Sequence, residues 1–490
     1  MATAGSGITF DDVSLIPRYA DFLPKEAEIG SRLTTHIGVN IPFVSAAMDT
    51  VTESRMAIAM AILGGIGIIH KNQDIAGQSR AVDAVKHHLH GLIRSPITFR
   101  SGDTLQEVKA RKARKGYGFS GFPILDENDR VAGILTAADM KFAHDDKARV
   151  ADIMTTSVIT APPETSLEEA YTIMKRNKIG KLPLVDNGRL VGLYSFSDVS
   201  MLIENAQPLF NRDARHRLRV GAAVGPNDQE RVAALAAKDV DVLVIDTAHG
   251  HSQGVISMCE WIKRHHPEID VVAGNIATGA AALALRKAGA DAVKVGIGPG
   301  SICTTRVVVG VGIPQVSAIY ECAQALRGEI PVIADGGIRF SGDVPKAIAA
   351  GADTVMMGSV LAGTNESPGE KIIHQGRQYV VYRGMGSLGA MKTALGSRER
   401  YGQGDAREDE LVPQGVEGIV PFSGSLEKVL TQFCGGLKAA LGYCGCRTIK
   451  ELHQNACFVR VSPASVREAH VHDVKIIREA PNYSAGFLEP

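Results

Sequence analysis

The sequence of 490 residues has no excess of charge of either sign, with 53 lysines and arginines against 53 aspartates and glutamates. Nucleic-acid-binding proteins normally carry a basic excess, so we expect no nucleic-acid partner. The longest uncharged run, residues 33–48, contains asparagine and proline and is too short to span a bilayer. The first residues lack a basic stretch followed by an apolar one. We therefore expect a cytoplasmic protein with no secretion signal and no membrane contact.

Paired cysteines are also missing. The seven cysteines are an odd number, and none of them forms a Cys-x-x-Cys pair. This argues against a disulfide framework or a zinc site and predicts free thiols. Aromatic residues make up only 5%, whereas glycine is abundant at 52 residues. Because the glycines are clustered, they indicate where the backbone can approach a ligand.

Short apolar runs that end in glycine or polar residues alternate with helical patterns along much of the chain. The eight runs cover residues 42–49, 65–71, 218–225, 240–250, 270–278, 291–301, 331–338 and 353–363. Such alternation predicts parallel strands that are buried on both faces and joined by helices. We predict an α/β fold in which the strands form a (β/α)8 TIM barrel, with an open doubly wound sheet as the alternative.

Glycine-containing loops follow the last two predicted strands. They are ADGGI (334–338) and MGS (357–359). A phosphate site built by the loops after strands seven and eight is a recurring feature of barrels, because glycine lets backbone N–H groups approach phosphate oxygens. Ordinary tight turns are the alternative, although two of them in consecutive units are harder to explain in that way.

The barrel pattern is interrupted by residues 92–205, which contain an internal repeat. Residues 121–140 align with residues 181–200, and the helical segments before them also match. A unit that occurs twice predicts a tandem pair that packs against itself. We therefore divide the chain into a first barrel part (1–91), an inserted module and a second barrel part (206–490).

The two repeats resemble a pair of CBS motifs, the Bateman module that binds adenine or guanine nucleotides. In that family a Ser/Thr-x-x-Asp near the end of each repeat holds the ribose. The matching residues are Thr136 with Asp139 and Ser195 with Asp198. The resemblance implies that ATP, GTP or GDP binds here and regulates the protein. The alternative is that these residues are helix N-caps.

A glycine-rich loop with a cysteine at its centre, GIGPGSICTTR (296–306), follows the sixth predicted strand. Barrel active sites are built where the strands end. A thiol in such a turn, with Arg306 nearby, is a candidate nucleophile. A lone cysteine is more often a small buried apolar side chain, which is our interpretation of Cys259 and Cys322. For Cys303 the surrounding loop favours catalysis.

Six motifs together resemble the IMP dehydrogenase/GMP reductase family, and IMP dehydrogenases in particular, over essentially the whole chain. The motifs are residues 45–61, 64–72, 245–252, 300–306, 334–343 and 382–391. The resemblance implies oxidation of IMP to XMP with NAD, in guanine nucleotide biosynthesis, through a covalent thioimidate on Cys303. It also implies a homotetramer, possibly an octamer.

The resemblance assigns roles to individual residues. Thr305, Arg400 and Tyr401 join Cys303 as catalytic residues. The substrate site is expected to use Met48, Ser301, Asp335, Gly336, Gly337, Met357, Gly358, Ser359, Tyr382, Gly384, Met385, Gly386 and Gln414. The nicotinamide side is expected to use Asp246, Thr247, Asn275, Gly296 and Gly298. A potassium ion (K+) is expected on the carbonyls of Gly298, Gly300 and Cys303, with Glu468, Ala469 and His470 supplied by a neighbouring subunit.

The polar, charge-dense residues 392–420, which we call the flap, separate the two enzymes of this family. In IMP dehydrogenases an Arg-Tyr pair in the flap, matched here by Arg400 and Tyr401, activates the hydrolytic water. GMP reductases lack this flap and carry a glutamate near Leu388, whereas this chain has no acid in residues 384–391. The resemblance therefore favours the dehydrogenase. GMP reductase is one alternative, and a nucleotide-sensing protein without turnover is another.

The expected base raises a chemical question. A guanidinium is normally cationic, so Arg400 can act as a base only if the closed flap removes it from water or another group takes the proton. Many bacterial dehydrogenases carry glutamate where this chain has Gln414. The resemblance therefore implies that hydrolysis depends more heavily on Arg400 in this chain.

Overall fold

The structure is a computed structural model that describes residues 5–88, 92–93, 96–115, 121–143, 145–204, 209–478 and 480–483. The chain divides into two compact units. One unit consists of residues 1–86 and 209–490, and the other of residues 87–208.

Eight parallel strands close into a barrel in the first unit. They are β1 (Phe43–Ser45), β2 (Ile66–Ile69), β3 (Gly221–Val224), β4 (Val242–Asp246), β5 (Asp270–Ile276), β6 (Ala292–Val295), β7 (Val332–Asp335) and β8 (Thr354–Met357). Each strand lies within one of the eight predicted runs. The pairing of β8 with β1 closes the sheet, so the predicted TIM barrel is confirmed and the open doubly wound alternative is wrong.

A helix follows each barrel strand. The helices are α1 (Ser54–Ile62), α2 (Ile75–Lys86), α3 (Gln229–Ala236), α4 (Gln253–His265), α5 (Gly279–Lys287), α6 (Gln315–Leu326), α7 (Asp343–Ala349) and α8 (Leu426–Tyr443). Short helices at Thr305–Val308 and Ser359–Ala362 precede α6 and α8. In the described part of the chain, no helix has both the length and the apolar character needed to cross a membrane.

The barrel strands bury both of their faces. In β4, Val242 and Val244 belong to the cluster that fills the barrel interior, whereas Leu243 and Ile245 pack against the surrounding helices. Burying each such side chain stabilises the fold by about 1.5–3 kcal/mol. A hairpin of Ser31–Arg32 and Gly38–Val39 adds Leu33, Ile37 and Val39 to the interior cluster. The rigid barrel therefore fixes where each strand ends, and so where the loop that follows it begins.

An antiparallel sheet lies outside the barrel and carries most of the flap. Its strands are Lys371–His374, Arg377–Arg383 and Glu417–Pro421. The chain between the last two strands contains helices Leu388–Thr393 and Leu395–Arg400 and a 3-10 turn at Glu408–Glu410. The remaining elements of this unit are Phe10–Asp12, Val13–Leu15, Pro24–Glu26, Ile449–Asn455, Phe458–Arg460 and Pro463–Ala469. The flap thus begins shortly after strand Arg377–Arg383 and ends in strand Glu417–Pro421, and these two strands pair with each other.

The second unit contains two similar β-hairpins. The first consists of Phe122–Leu125 and Val131–Leu135, and the second of Lys181–Asp186 and Arg189–Ser195. Both have a register shift at the same place, after Ile124 and after Leu184. The other elements are Leu92–Ile93, Phe99–Arg100, Leu105–Lys115, Ala137–Phe142, Val150–Ile153, Leu167–Asn177 and Phe196–Glu204. Each hairpin has its own apolar cluster, so each repeat builds its own small core.

Candidate active site

A cavity of about 350 Å³ opens at the carboxyl ends of the barrel strands, a volume typical of a small-molecule site. Most of the predicted site residues line it. They are Met48, Thr247, Asn275, Gly296, Gly298, Gly300, Ser301, Cys303, Thr305, Asp335, Gly336, Gly337, Met357, Gly358, Ser359, Tyr382, Gly384, Met385, Arg400, Tyr401 and Gln414. Asp246 and Gly386 do not belong to this lining but contact two residues that do, Arg400 and Tyr401 respectively. The barrel thus brings together residues that are up to 366 positions apart, from Met48 to Gln414.

The Cys303 thiol lines this cavity and is half-buried. Its Sγ lies 3.1 Å from Thr305 Oγ1, and Thr305 Oγ1 donates a hydrogen bond of 3.1 Å to Gln414 Oε1. The single hydroxyl proton of Thr305 is used in that bond, so the thiol proton can be donated to Thr305 Oγ1 or to the Gln414 carbonyl oxygen, which is 3.6 Å from Sγ. The peptide N–H of Thr304 also bonds the Gln414 carbonyl at 3.0 Å. Gln414 therefore both positions the cysteine loop and accepts from its threonine.

Arg306 holds the cysteine loop rather than the thiol. Its Nε and Nη2 atoms donate to the carbonyls of Ile297 at 2.9 Å and Ile313 at 2.6 Å. Burial lowers the pKa of the Arg306 guanidinium. Two carbonyl contacts on opposite sides of the loop fix its shape. Arg306 therefore acts on Cys303 by positioning the backbone.

The loops after β7 and β8 present glycines to the cavity, where an anion could approach their backbone N–H groups. Gly336 and Gly337 have φ angles of +91° and +85°, a region that favours glycine. Tyr382 lies beside Gly358, where a Cβ would be 3.0 Å from its hydroxyl, and that hydroxyl is 3.7 Å from Met48 Sδ. Burial, aided by the Asp335 carboxylate, raises the pKa of Tyr382. Its hydroxyl stays protonated at neutral pH and can donate a hydrogen bond to a phosphate oxygen.

A buried lysine that the sequence analysis missed connects Asp246, expected on the nicotinamide side, with Asp335, expected on the substrate side. Lys294, on β6, is 1% exposed, and its Nζ lies 3.0 Å from Asp246 Oδ1 and 2.6 Å from Asp335 Oδ2. It also contacts Asn275 Oδ1, and Asn275 Nδ2 donates to Asp335 at 2.9 Å. A charged side chain inside a buried apolar strand was the available signal, since lysine is rarely buried without partners.

The flap lies over the cavity in this structure. Arg400 forms an ion pair with Asp246, and its carbonyl accepts the Ala248 N–H at 2.9 Å. Tyr401 packs so closely on Gly386 that a Cβ there would lie 2.7 Å from the tyrosine ring. Burial raises the pKa of Tyr401, and the Arg400 charge opposes this. Arg400 is thus paired with the carboxylate of Asp246, a residue that we expected to contact the nicotinamide.

An acid does approach the stretch where GMP reductases are expected to carry one. The Gly389 N–H donates to Glu417 Oε1 at 2.8 Å. Glu417 belongs to the outer sheet and does not belong to the cavity lining. A Cβ at Gly389 would lie 2.4 Å from the same oxygen. This carboxylate therefore caps the chain at Gly389 and is separate from the cavity.

The residues predicted to hold potassium are not brought together within this chain. Gly298, Gly300 and Cys303 share the cysteine loop, and the Gly300 carbonyl accepts the Cys303 N–H at 3.1 Å. His470 instead lies 5.6 Å, between ring centroids, from Phe340. A separate cluster of His36, Asp270 and Asp291 has donor atoms within 4.8 Å of one another. Its oxygens are engaged by protein groups, including Lys263 at 2.9 Å from Asp291.

The candidate nucleotide-binding residues of the second unit are engaged locally. Thr136 and Asp139 form a capping box at the start of helix Ala137–Phe142, as the N-cap interpretation predicts. In the second repeat, Ser195 accepts a hydrogen bond of 2.7 Å from Lys181. Burial lowers the pKa of Lys181, and Asp198 opposes this shift. The second repeat thus places the Lys181 cation beside Ser195 and Asp198. In the first repeat the matching Thr136 and Asp139 bond to each other as a capping box.

A closed barrel with a cysteine loop, glycine-lined loops and a docked flap defines a barrel enzyme with a candidate nucleophilic thiol in its cavity. The model of the IMP dehydrogenase / GMP reductase domain matches residues 7–472. The chain therefore belongs to the IMP dehydrogenase/GMP reductase family.

Relatives of both kinds are similar over almost the whole chain. Inosine-5'-monophosphate dehydrogenase from Aquifex aeolicus is 52% identical, covering 97% of each chain. The enzyme of that name from Chlorobaculum tepidum is also 52% identical, covering 97% of this chain and 98% of its own. A solved cysteine-to-alanine variant of GMP reductase from Trypanosoma brucei, in complex with guanosine 5'-monophosphate, has a TM-score of 0.84. It is 39% identical and covers 96% of this chain and 99% of its own.

Proposed function

We propose that this chain is an NAD-dependent IMP dehydrogenase that oxidises IMP to XMP in guanine nucleotide biosynthesis. The observation that carries the proposal is the joint presence, at one cavity, of the Cys303 thiol and the flap pair Arg400 and Tyr401. A thiol alone serves both enzymes of the family. The flap pair supplies what hydrolysis of a covalent intermediate needs, and the relatives named as dehydrogenases are 52% identical.

The first half of the reaction forms a bond to sulfur. Cys303, after losing its proton, attacks C2 of the IMP purine, and the hydride at C2 leaves for NAD. The product is a thioimidate in which C2 is bonded to sulfur. Splitting the substitution into two steps lowers the barrier of each. Asp335, held by Lys294 at 2.6 Å, binds the ribose, while the glycine loops and Tyr382 bind the phosphate.

The second half is hydrolysis. Water adds to C2 and the sulfur leaves, so XMP is released and the thiol is restored. The net change is IMP, NAD and water to XMP, NADH and a proton. Arg400 and Tyr401 position the water, and Thr305, 3.1 Å from the sulfur, carries a proton. The Gln414 amide cannot take that proton, so the flap arginine has the greater role.

NAD binding and flap closure use the same side of the cavity. Asp246, Thr247 and Asn275 would hold the dinucleotide, which accepts the hydride when bound. Asp246 is paired with Arg400 here, so the dinucleotide and the closed flap are alternatives. This order suits the chemistry, because hydride transfer needs NAD and hydrolysis needs the flap.

A potassium ion fits the cysteine loop in part. Among the described residues, the carbonyls of Gly298 and Cys303 accept no hydrogen bond, whereas that of Gly300 bonds the Cys303 N–H. Carbonyl oxygens suit a hard monovalent cation. Bound there, the ion would stabilise the loop that carries the thiol. We further propose that Glu468, Ala469 and His470 of a second subunit complete this site in a homotetramer.

The purified protein tests the proposal through NADH formation from IMP and NAD, with and without potassium. We expect turnover that is lost in Cys303→Ala and retained in the matched change Cys457→Ala, which replaces an exposed cysteine. GMP reductase activity should be assayed as well, because a solved relative is a GMP reductase. Formation of IMP from GMP with NADPH, without IMP oxidation, would overturn the proposal.

For the second unit we propose purine-nucleotide binding that regulates the enzyme. The second repeat supports it best, because Lys181 lies beside Ser195 and can balance a phosphate. Calorimetry on the full chain should show binding of ATP, GTP or GDP that weakens in Asp198→Ala and Asp139→Ala. Heat changes equal to buffer dilution with all three nucleotides would end this proposal.

A further inference from the structure

A second buried lysine meets the flap at a distance from the cavity. Lys71 follows β2, and its side chain is only 4% exposed. Its Nζ donates a hydrogen bond of 3.2 Å to Oε2 of Glu399, the residue before Arg400. The flap therefore approaches the barrel both at its arginine and at the preceding glutamate.

Glu399 is the principal partner of this ammonium. The other nearby carboxylate oxygen, Asp228 Oδ2, is 3.9 Å away. That oxygen already accepts the Gly225 N–H at 2.7 Å and faces Arg231 Nε at 3.4 Å. Among the described residues, no other group accepts a hydrogen bond from Lys71 Nζ. Burial lowers the pKa of Lys71, and the Asp228 and Glu399 carboxylates oppose the shift.

The backbone of Lys71 makes a second contact with the flap. A Cβ at Gly396 would lie 2.6 Å from the Lys71 carbonyl oxygen. Gly396 lies in helix Leu395–Arg400, which also carries Glu399 and Arg400. The helix therefore rests directly on Lys71, and a short rigid element connects this contact to the catalytic arginine.

We propose that Lys71 is a positioning residue that holds the flap closed through Glu399, and so keeps Arg400 and Tyr401 over the cavity during hydrolysis. The proposal rests on the proposed function. A buried ammonium that loses its acceptor is destabilised, so Lys71 favours the closed flap. Because the closed flap and the dinucleotide compete for Asp246, the same contact also limits NAD binding after hydride transfer.

Glu399→Gln is the direct test, because Glu399 is 44% exposed and its replacement leaves the fold intact. We expect the equilibrium constant for flap closure to fall about tenfold, as for the loss of a charge-assisted hydrogen bond. Steady-state turnover should fall by up to that factor, while the pre-steady-state burst of NADH is unchanged. Excess NAD should inhibit at a lower concentration. Glu410→Gln is the control and should behave as wild type, because Glu410 is on the same flap but its ion pair among the described residues is with Arg407, at 2.9 Å.

A double-mutant cycle isolates the pair. In a Lys71→Met background, Glu399→Gln should have no further effect on turnover or on NAD inhibition. Met in place of a buried ammonium preserves packing. Equal effects of Glu399→Gln in both backgrounds would overturn the proposal, and so would a parallel fall of burst and turnover.

Hydrogen exchange separates this proposal from the proposed function. Amides of residues 392–401 should exchange about tenfold faster in Glu399→Gln than in Glu410→Gln, if opening governs exchange. Active wild-type enzyme with equal exchange in the two variants would refute the role of Lys71 alone. Wild-type protein without IMP oxidation would refute the proposed function, whatever the exchange shows.

Discussion

Replacing Lys294 with methionine removes the cation that, among the described residues, lies between Asp246 and Asp335. Both carboxylates lie within 3.0 Å of its Nζ, and the lysine side chain is 1% exposed. Arg400 still faces Asp246 when the flap is closed, but the described side chain that continues to donate to the Asp335 carboxylate is the neutral Asn275. The change therefore leaves a mostly buried carboxylate without a counter-charge.

The loss of stability should be large. Breaking a buried ion pair by removing one partner costs about 3–5 kcal/mol. We expect about 3 kcal/mol here, because the Asp335 side chain keeps some contact with water at 17% exposure. In a chain of this size that corresponds to a thermal midpoint lowered by roughly 3 °C. Scanning calorimetry measures it, and Lys287→Met, at an exposed lysine on α5, is the matched control.

The same variant should also bind substrate poorly. Asp335 would lose the contact that orients it, so the Michaelis constant for IMP should rise more than the turnover number falls. Wild-type stability together with wild-type IMP affinity in Lys294→Met would refute the reasoning. A stability loss of the same size in Lys287→Met would refute it as well.

Two further predictions concern the thiol and the hydrolysis step. Burial raises the pKa values of Cys259 and Cys322 to about 12, so iodoacetamide at pH 8 should alkylate Cys303 and spare both of them. Peptide mass spectrometry measures the modification of each cysteine. Modification of Cys259 at the same rate as Cys303 would contradict the prediction. Arg400→Gln should slow hydrolysis by roughly 10²–10⁴ without slowing the NADH burst. Gln414→Glu should restore part of that loss, because it places a carboxylate 3.1 Å from Thr305, and absence of any recovery would contradict the proton path.

Local patterns were enough to predict the barrel. Parallel strands buried on both faces need continuous apolar runs, and each observed strand lies inside such a run. The glycine loops were predictable for a related reason, since positive φ angles at Gly336 and Gly337 require that residue type. Cys303 was predicted to be catalytic because an ordinary buried cysteine does not need a loop of this composition.

Long-range pairings were not predictable from local patterns. Gln414 lies 111 positions from Cys303, and only the resemblance to known enzymes connected them. Lys294 lies in an apolar strand and Lys71 lies beside one. Their roles depend on partners that are distant in sequence, Asp246 and Asp335 for Lys294 and Glu399 for Lys71. The contact of Arg400 with Asp246 depends on how the flap folds back over the barrel. Burial and charge pairing are properties of the closed fold, so spacing along the chain does not reveal them.

The most direct test of the central claim is to identify the modified residue during turnover. The Arg400→Gln variant, quenched with acid in the presence of IMP and NAD, should accumulate the thioimidate because its hydrolysis is slow. Peptide mass spectrometry should then locate a purine nucleotide on Cys303, in an amount that matches the NADH released in the burst. NADH formation with Cys303 unmodified, or a nucleotide attached to another residue, would contradict the account.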